Sequence, residues 1–489
     1  MHRASGIFLA FLASSSLAGP AIQPGDLALR HDIQRLADYG VITGTVTTWP
    51  LAWGPVLADI RRFQAKGGLP RDVIDALERI RARGAWETQT NALRFRARAA
   101  GQVEPARIRS FQSTPREEGE LALGASWTGE RISVDLTATG VANPIDEEDL
   151  RADGSQVAFA VGNMTIAAST LDRWWGPAWD SSLVLSSNAR PIPAITVDRN
   201  FTDPFDTKWL SWLGPWDASL IWGQLEEERA VPNARFLGFR FNFRPLPSLE
   251  IGISRTAQWC GDGRPCDAST LWDLILGQDN VGSDDITLEN EPGNQTAAID
   301  FRWSVASLGW PLAIYGQFMA EDEAGGFPSR YMGQLGAEGT GALGEIWSYR
   351  WYVEGSSTSC DFWKSDEIFN CAYNHGIYQS GYRYYDRVIG HGADNDARVA
   401  TLGLLLVDNR ENSWQGYVRT GRLNRGGPAD AANSLTPLPR DVLNIEVIHN
   451  RVFDYGRLEF GVGYDRFGKN SALPSSNEAR AFIQWRSDY

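Results

Sequence analysis

The stretch "RLEFGVGYDR", residues Arg457–Arg466, alternates Leu458, Phe460, Val462 and Tyr464 with Glu459, Gly461, Gly463 and Asp465. A period of two puts one set on each face of a strand, so one face is greasy and the other polar or glycine. "RFLGFRFNFR", Arg235–Arg244, repeats the pattern, with Leu237, Phe239, Phe241 and Phe243 set against Gly238, Arg240, Asn242 and Arg244. A soluble sandwich alternates too, but packs its apolar face inward with mixed aliphatics. Aromatic residues near strand ends, opposite glycine and charge, suit a barrel in lipid.

Loop lengths test the barrel, because an outer-membrane barrel has short turns at one end and long loops at the other. Counting back from the C-terminus, "FGKNSALPSSN" is long, "NRVFDYG" short, "NRGGPADAANSLTPLPRD" long and "DNREN" short. The alternation continues: 356–397 long, "GTGALGE" short, "EDEAGGFPSR" long, "VASLGW" short, 259–294 long, "RPLPS" short. The last segment, "ARAFIQWRSDY", alternates Ala481, Ile483 and Trp485 against Phe482, Gln484 and Arg486 and resembles the terminal strand of such barrels, with Ser487 as a departure and aromatic Tyr489 at its end. Upstream of Pro191 the count is ambiguous, between sixteen and twenty strands; about eighteen is the expectation.

Composition agrees. With 49 Gly, 20 Trp, 21 Phe and 14 Tyr but 43% hydrophobic residues, apolar groups are spread out as in strands, not massed as in membrane helices. The start, "MHRASGIFLAFLASSSLAGPA", has Arg3, an apolar run from Ile7 to Ala13 and small residues Ser16 and Ala18, so residues 1–18 read as an export signal. No later segment approaches the roughly 20 apolar residues of a membrane helix.

Residues 24–84 carry a different period. Asp26 caps a helix presenting Leu29, Ile33 and Leu36 and stopping at Gly40; a second starts at Gly54-Pro55 and presents Val56, Ile60 and Phe63; a third runs from Pro70 to Gly84 with Val73, Leu77 and Ile80 inward. This predicts a small three-helix bundle, joined by "TGTVTTWPLAW", before a barrel over 86–489. The bundle region has 9 Lys/Arg against 7 Asp/Glu, whereas the remainder from Ala85 has 36 against 53. A net charge of −14 argues against a nucleic-acid partner, which needs a basic face.

Four cysteines allow three pairings. The local ones, Cys260 with Cys266 and Cys360 with Cys371, suit disulfides in an exported chain, both on the long-loop side. Zinc is the rival, but neither pair has C-x-x-C spacing.

The same parity brings "DRWWGPAWDSSLVLSSNARP", Asp172–Pro191, to the long-loop end. Indoles stack on the C–H faces of sugar rings while polar groups bind hydroxyls, so Asp172, Arg173, Trp174, Trp175, Trp179, Asp180, Asn188 and Arg190 form a candidate saccharide platform. The competing reading is an aromatic girdle at the membrane interface. Adjacent Trp174 and Trp175 should then have opposite fates, one in lipid and one facing the lumen or the loops. A second cluster, "AYNHGIYQSGYRYYDRVIGHGADNDA", supplies Tyr382, Arg383, Tyr384, His391, Asp394 and Asp396 to a carbohydrate-facing surface or to a disulfide-tied loop. "DNDA" lacks the further ligands of a calcium loop, so neither metal nor cofactor is expected. "DASTLWDLILGQDN" reads as a short capped helix over the mouth.

No G-x-S-x-G elbow, H-E-x-x-H or phosphate-binding loop is present, so an enzyme is not expected. Asp172 with Asp180, or Glu226 to Glu228, would need a fixed separation to hydrolyse a glycosidic bond. Taken with "GDLALRHDIQRLADYGVITGTVTTWPLAW", "SRTAQWCGDGRPC" and "YNHGIYQSGYRYYDRVIGH", the Trp-rich stretch resembles the capsule assembly Wzi family across essentially the whole mature chain. The resemblance implies an outer-membrane barrel with a periplasmic helical bundle, a lectin holding capsular or related exopolysaccharide. It supplies no residue-level site. The expectation is a monomer in outer-membrane lipid that binds polysaccharide by many weak contacts, with a diffusion porin or a glycan hydrolase as the alternatives. The acidic remainder suggests a ligand that is neutral, or acidic and bridged by divalent cations.

Overall fold

A computed structural model describes residues 20–489 except 66, 277–292, 307–309, 325–326, 429–432, 471 and 488–489. Residues 1–18, expected to be an export signal, and Tyr489 lie outside the described residues. Helix α1 is Leu27–Asp38, with the Asp26 carboxylate accepting from the Leu29 amide at 3.0 Å; α2 is Trp53–Arg62 and α3 is Arg71–Glu87. The third helix passes the expected stop at Gly84 because that glycine lets the helices touch: a Cβ there would lie 2.6 Å from Leu57 and 3.1 Å from Trp53.

The barrel begins with β1 Leu93–Val103, β2 Gly119–Thr128 and β3 Ile132–Ala142. Strand β4 is Leu150–Arg151 resumed at Gln156–Val161, both parts pairing with β3; β5 is Met164–Ser169 and β6 Ala194–Arg199. Then come β7 Trp216–Gln224, β8 Arg235–Leu246, β9 Leu249–Trp259, β10 Gly293–Ser304, β11 Leu312–Ala324 and β12 Phe327–Leu343. The remaining strands are β13 Trp347–Ser357, β14 Arg398–Asp408, β15 Ser413–Leu423, β16 Arg440–Phe453, β17 Gly456–Phe467 and β18 Ser476–Arg486. Counting the interrupted β4 once, the closed antiparallel barrel has 18 strands. Strand β18 closes it on β1, Ala481 opposite Val103 through Arg486 opposite Arg98. Ser487, the departure from the terminal-strand pattern, extends that seam: its hydroxyl accepts from the Ala97 amide at 2.7 Å.

The period-two reading holds residue by residue. On β17, Phe460, Val462 and Tyr464 face out while Glu459 and Asp465 are buried inside. Connections alternate as expected, with two departures. "EDEAGGFPSR" is almost entirely strand, so β11 and β12 rise together beyond their neighbours. At the short-turn end, the connection 200–215 is long and folds back on the outer wall, with Trp212 edge-on to Phe243 at 6.1 Å.

The boundary near 85 is a change of secondary structure and not a break in packing. Eleven of the twelve residues of α1 are buried, including Arg30, His31, Asp32, Gln34 and Arg35. Leu29, Ile33 and Leu36 share one core with Tyr315, Tyr352, Leu405 and Val407 of the barrel wall. The helix sits in the lumen, and its charged face meets charges on the strands. Arg302 donates to Asp38 at 2.6 Å and Arg350 to His31 at 3.1 Å, while Arg79 of α3 donates to Asp32 at 2.6 Å. The linker is held likewise: the Glu250 carboxylate accepts from the amides of Val46 and Thr47, and Arg244 donates to the carbonyls of Ile42 and Gly44.

Candidate functional site

After Ser169 the chain leaves the wall and turns into the lumen. Trp174 pairs with Trp49 and Trp175 with Thr48, as a two-residue ribbon against the linker between α1 and α2. Gly176 is required where the ribbon turns: φ is 141°, and a Cβ would lie 2.7 Å from the Gln317 amide. Gln317 holds this bend, donating to the Trp175 carbonyl at 2.8 Å and accepting from the Leu183 amide at 2.6 Å.

Trp174 and Trp175 do point opposite ways, but both ways lead inside. Trp174 joins the core of the helices, edge-on to Phe111 at 5.2 Å; Trp175 packs with Leu183, Leu185 and Ile389. Trp179 stacks on Tyr352, between the guanidinium groups of Arg30 and Arg350 at 4.2 and 4.4 Å. None is more than 1% exposed. The expectation that one of the adjacent pair lies in lipid is therefore corrected. The reason is the inward dive at Ser169, which takes the stretch out of the strand register from which the girdle reading followed.

The polar members of the stretch are occupied by the protein. Asp180 takes a two-pronged ion pair from Arg419 and a hydrogen bond from Thr401 at 2.7 Å; the next amides back, Asp180 and Trp179, donate to Glu354. Asp172 pairs with Arg116 at 3.1 Å, with burial pushing its carboxyl above the usual range. Arg173 donates to Ser169 and to the Ile192 carbonyl, and Asn188 to the Val388 carbonyl. Arg190 bridges Asp146 and Asp153 beneath the Tyr385 ring.

The second cluster forms the same roof. Tyr373 and Tyr382 stack at 5.9 Å and donate to the carbonyls of Leu183 and Val184, so the segment 358–397 is laced to 170–193. Arg383 grips Asp394 with two nitrogens, and Asp394 also accepts from Ser434; Asp396 accepts from the Asn370 amide. These contacts fill the carboxylates that a calcium reading of "DNDA" would need free. Burial pushes Asp396 up to about 6 and His391, hydrogen-bonded to Ser356, down to about 4. Tyr382, Arg383, Tyr384, His391, Asp394 and Asp396 are all buried, as are Asp180, Asn188 and the three tryptophans. They are brought together, but as the interior of a roof: their rings present no open face to a sugar. Asp172, Arg173 and Arg190 keep part of their surface.

Both local disulfides are present, Cys260–Cys266 and Cys360–Cys371. Helix α4, Ala268–Leu276, packs through Leu274 against Ala257 and Trp259 on the outward side of β9, so it flanks the mouth instead of covering it. Among the described residues, no group of three His, Cys, Asp or Glu is placed to hold a metal ion.

Beyond Asp172, Arg173 and Arg190, the more accessible groups near the roof are ones the sequence reading did not place in a binding site. Tyr385 sits at the tip of a hairpin, Arg383–Tyr384 against Arg387–Val388, where Tyr385 and Asp386 have φ of 45° and 57°. Such a tip lifts a ring out of the roof; the signal was the two-residue spacing in "RYYDRV". Beside it stand the exposed acids Glu147, Glu148, Asp149, Glu227 and Glu228.

Residues 89–466 match the family described as capsule assembly protein Wzi. A Klebsiella pneumoniae protein, described as an uncharacterized 55.8 kDa protein in the cps region, is 33% identical over 359 residues, 72% of this chain and 68% of its own length. Among solved structures, the Escherichia coli Wzi barrel is similar at TM-score 0.84 and 26% identity, over 96% of this chain and 100% of that one. It is described as an outer-membrane protein involved in group 1 capsule assembly and a carbohydrate-binding β-barrel.

Proposed function

This chain belongs to the capsule assembly Wzi family, and from that premise we propose that it is a non-catalytic outer-membrane lectin that holds capsular or related exopolysaccharide at the cell surface. The long-loop end faces outward and the helices enter from the periplasmic end. One observation supports this reading over a diffusion porin: the lumen is filled twice, by α1 and its linker from one side and by the roof from the other, meeting at Trp174 and Trp175. The luminal cavity along β1–β4, about 270 Å³, is lined by charges already paired, such as Arg98 with Glu120. Work is thereby moved from the pore to the outer surface.

A hydrolase is disfavoured by the occupancy of its carboxylates. Asp180 is locked to Arg419 and Asp172 to Arg116, so neither is poised for proton transfer to a ligand. With Asp180, Asn188, Arg383 and Asp394 bonded within the protein, the polymer meets the half-buried Tyr385 and the exposed acidic rim, each contact weak and the sum set by repetition along the chain. The rim favours a neutral polymer, or an acidic one bridged by divalent cations. The protein acts as a monomer in outer-membrane lipid.

The test is affinity electrophoresis of the refolded barrel in gels containing surface polysaccharide purified from its own host, with and without chelator, while reducing ends are assayed. Retardation without growth of reducing ends is expected. A folded barrel that migrates unretarded, or that shortens the polymer, defeats the reading.

A further inference from the structure

The wall of the barrel is not equally high all round. Strand β4 resumes for only six residues, β5 and β6 have six each, and β3 and β7 on either side have eleven and nine. Because the chain turns inward after Ser169 and returns only at Ala194, the ladder of β5 and β6 stops there, and above the resumed part of β4 only its two residues Leu150–Arg151 pair with β3. The result is a notch open to the side, a groove of about 1150 Å³.

Its floor is part of the lipid-facing band. Leu136, Val157, Ala168, Ile195 and Trp222 line it, and the last four lie level by register, Val157 opposite Ala168, Ala168 opposite Ile195, and Ile195 opposite Trp222. One flank is α4, through Ala268 and Leu271; the ceiling is the roof hairpin, with Tyr384 and Tyr385. Between floor and ceiling is a belt of uncharged and acidic groups: Ser155, Thr170, Gln224, Asn233, Glu226 and Glu227. Glu226 is paired with Arg229 behind the surface, which leaves Glu227 and Asp267 facing one lining arginine, Arg235, itself a donor to Gln224.

We propose that this notch binds, from the side, a lipid of the surrounding leaflet whose headgroup is an uncharged sugar. The acyl chains continue the lipid already covering Leu136, Ile195 and Trp222. The headgroup reaches the hydroxyl, amide and carboxylate belt, where sugar hydroxyls donate to Glu227 and a ring face meets Tyr385. A phosphate headgroup is disfavoured by the carboxylate excess. The proposal rests on reading the long-loop end as the glycan-holding end, and extends it from a soluble polymer to the lipid-anchored end of a saccharide.

All four native cysteines are in disulfides, so Ala168→Cys can carry a single bimane reporter on the groove floor. The labelled, refolded protein in detergent is titrated with diglucosyl diacylglycerol, with phosphatidylglycerol of the same chains, and with the free disaccharide. A saturable response to the glycolipid at least tenfold below the phospholipid, with none to the disaccharide, is expected. Tyr385→Ala should weaken it about tenfold and Tyr385→Phe restore it; heat-modifiable gel mobility verifies the fold of each variant. Equal response to both lipids, the same response to the disaccharide alone, or indifference to Tyr385→Ala overturns the proposal. Retardation by soluble polysaccharide, measured on the unmodified chain without lipid, reports separately on the function from which it starts.

Discussion

The two fillings of the lumen are built from different chemistry. From the helical end, α1 and its linker are tied to the wall by buried ion pairs and charge-assisted hydrogen bonds, such as Arg302 with Asp38 and Glu250 with two linker amides. From the long-loop end, 170–193 and 358–397 are tied to each other mainly by stacked tyrosines donating to carbonyls. A segment that must lie against a polar inner wall matches it charge for charge, since an unpaired charge there is costly. A roof that packs mostly on itself can use apolar contact and neutral hydrogen bonds, and pairs a charge where it meets the wall, Asp180 with Arg419. The lower filling should therefore fail through its charges and the upper through its packing.

The largest expected effect breaks the lower filling. Arg302→Ala leaves the buried Asp38 carboxylate without its partner, and loss of one member of such a pair costs about 3–5 kcal/mol. Limited proteolysis should then cut within 20–90 while the barrel keeps its heat-modifiable mobility. An unchanged digest would mean that the helices are held by their apolar core alone.

Cutting at the seam sharpens the comparison. Trp174→Ala and Trp175→Ala each open a cavity in a tight core, at about 3–5 kcal/mol, but in different fillings. Hydrogen exchange should rise in Leu27–Asp38 for the first and in 373–389 for the second. Exchange rising equally in both segments for either variant would make the seam one cooperative unit. Trp174→Phe should leave polysaccharide retardation within about twofold, because the ring offers no open face; a large loss with unchanged stability would return the indole to the ligand.

What was legible in the sequence is what strand periodicity and local caps control. Phe460 facing out and Glu459 facing in, the Asp26 cap and the sidedness of both disulfides all follow from short-range rules. The departures are long-range. Nothing within "DRWWGPAW" says that the chain will leave the wall at Ser169, because the cause is a partner far back in the chain: Trp175 pairs with Thr48, as Trp174 does with Trp49. Helix α1 likewise looks amphipathic alone, its polar face ready for water, until Asp38 and His31 meet Arg302 and Arg350. A platform of tryptophan and aspartate and the core of a plugged barrel have the same composition; only burial separates them.

The roof has its own charge-sensitive point in His391. Burial holds its imidazole at about 4 against an ordinary 6.5, so the folded roof favours the neutral ring. A lowered histidine stabilises fully above pH 6.5, and that contribution is lost as the pH falls toward 4, to a limit of about 3 kcal/mol. Asp396, raised to about 6 by burial, runs the other way, losing stability as the pH rises from the ordinary carboxylate range through 6. The two are separable: His391→Gln should flatten the acid-side rise in proteolysis of 358–397 between pH 6.5 and 4. A rise that persists unchanged would assign it to other groups.

The smallest effect tests whether location or mere number of ion pairs holds the helices. Arg62 on α2 meets Asp203 of the long inner connection at 3.4 Å, with side chains 65% and 59% exposed. Water already solvates both partners, so the pair gains little from meeting and is screened by salt. Arg62→Ala should shift stability by no more than about 0.5 kcal/mol and leave the digest of 20–90 unchanged, in low salt as in high. The same substitution at Arg302 differs only in what surrounds the charge. If Arg62→Ala released the helices as readily as Arg302→Ala, the hold on them would lie at the rim of the barrel, and the charges lining the lumen would serve the fold of the strands instead.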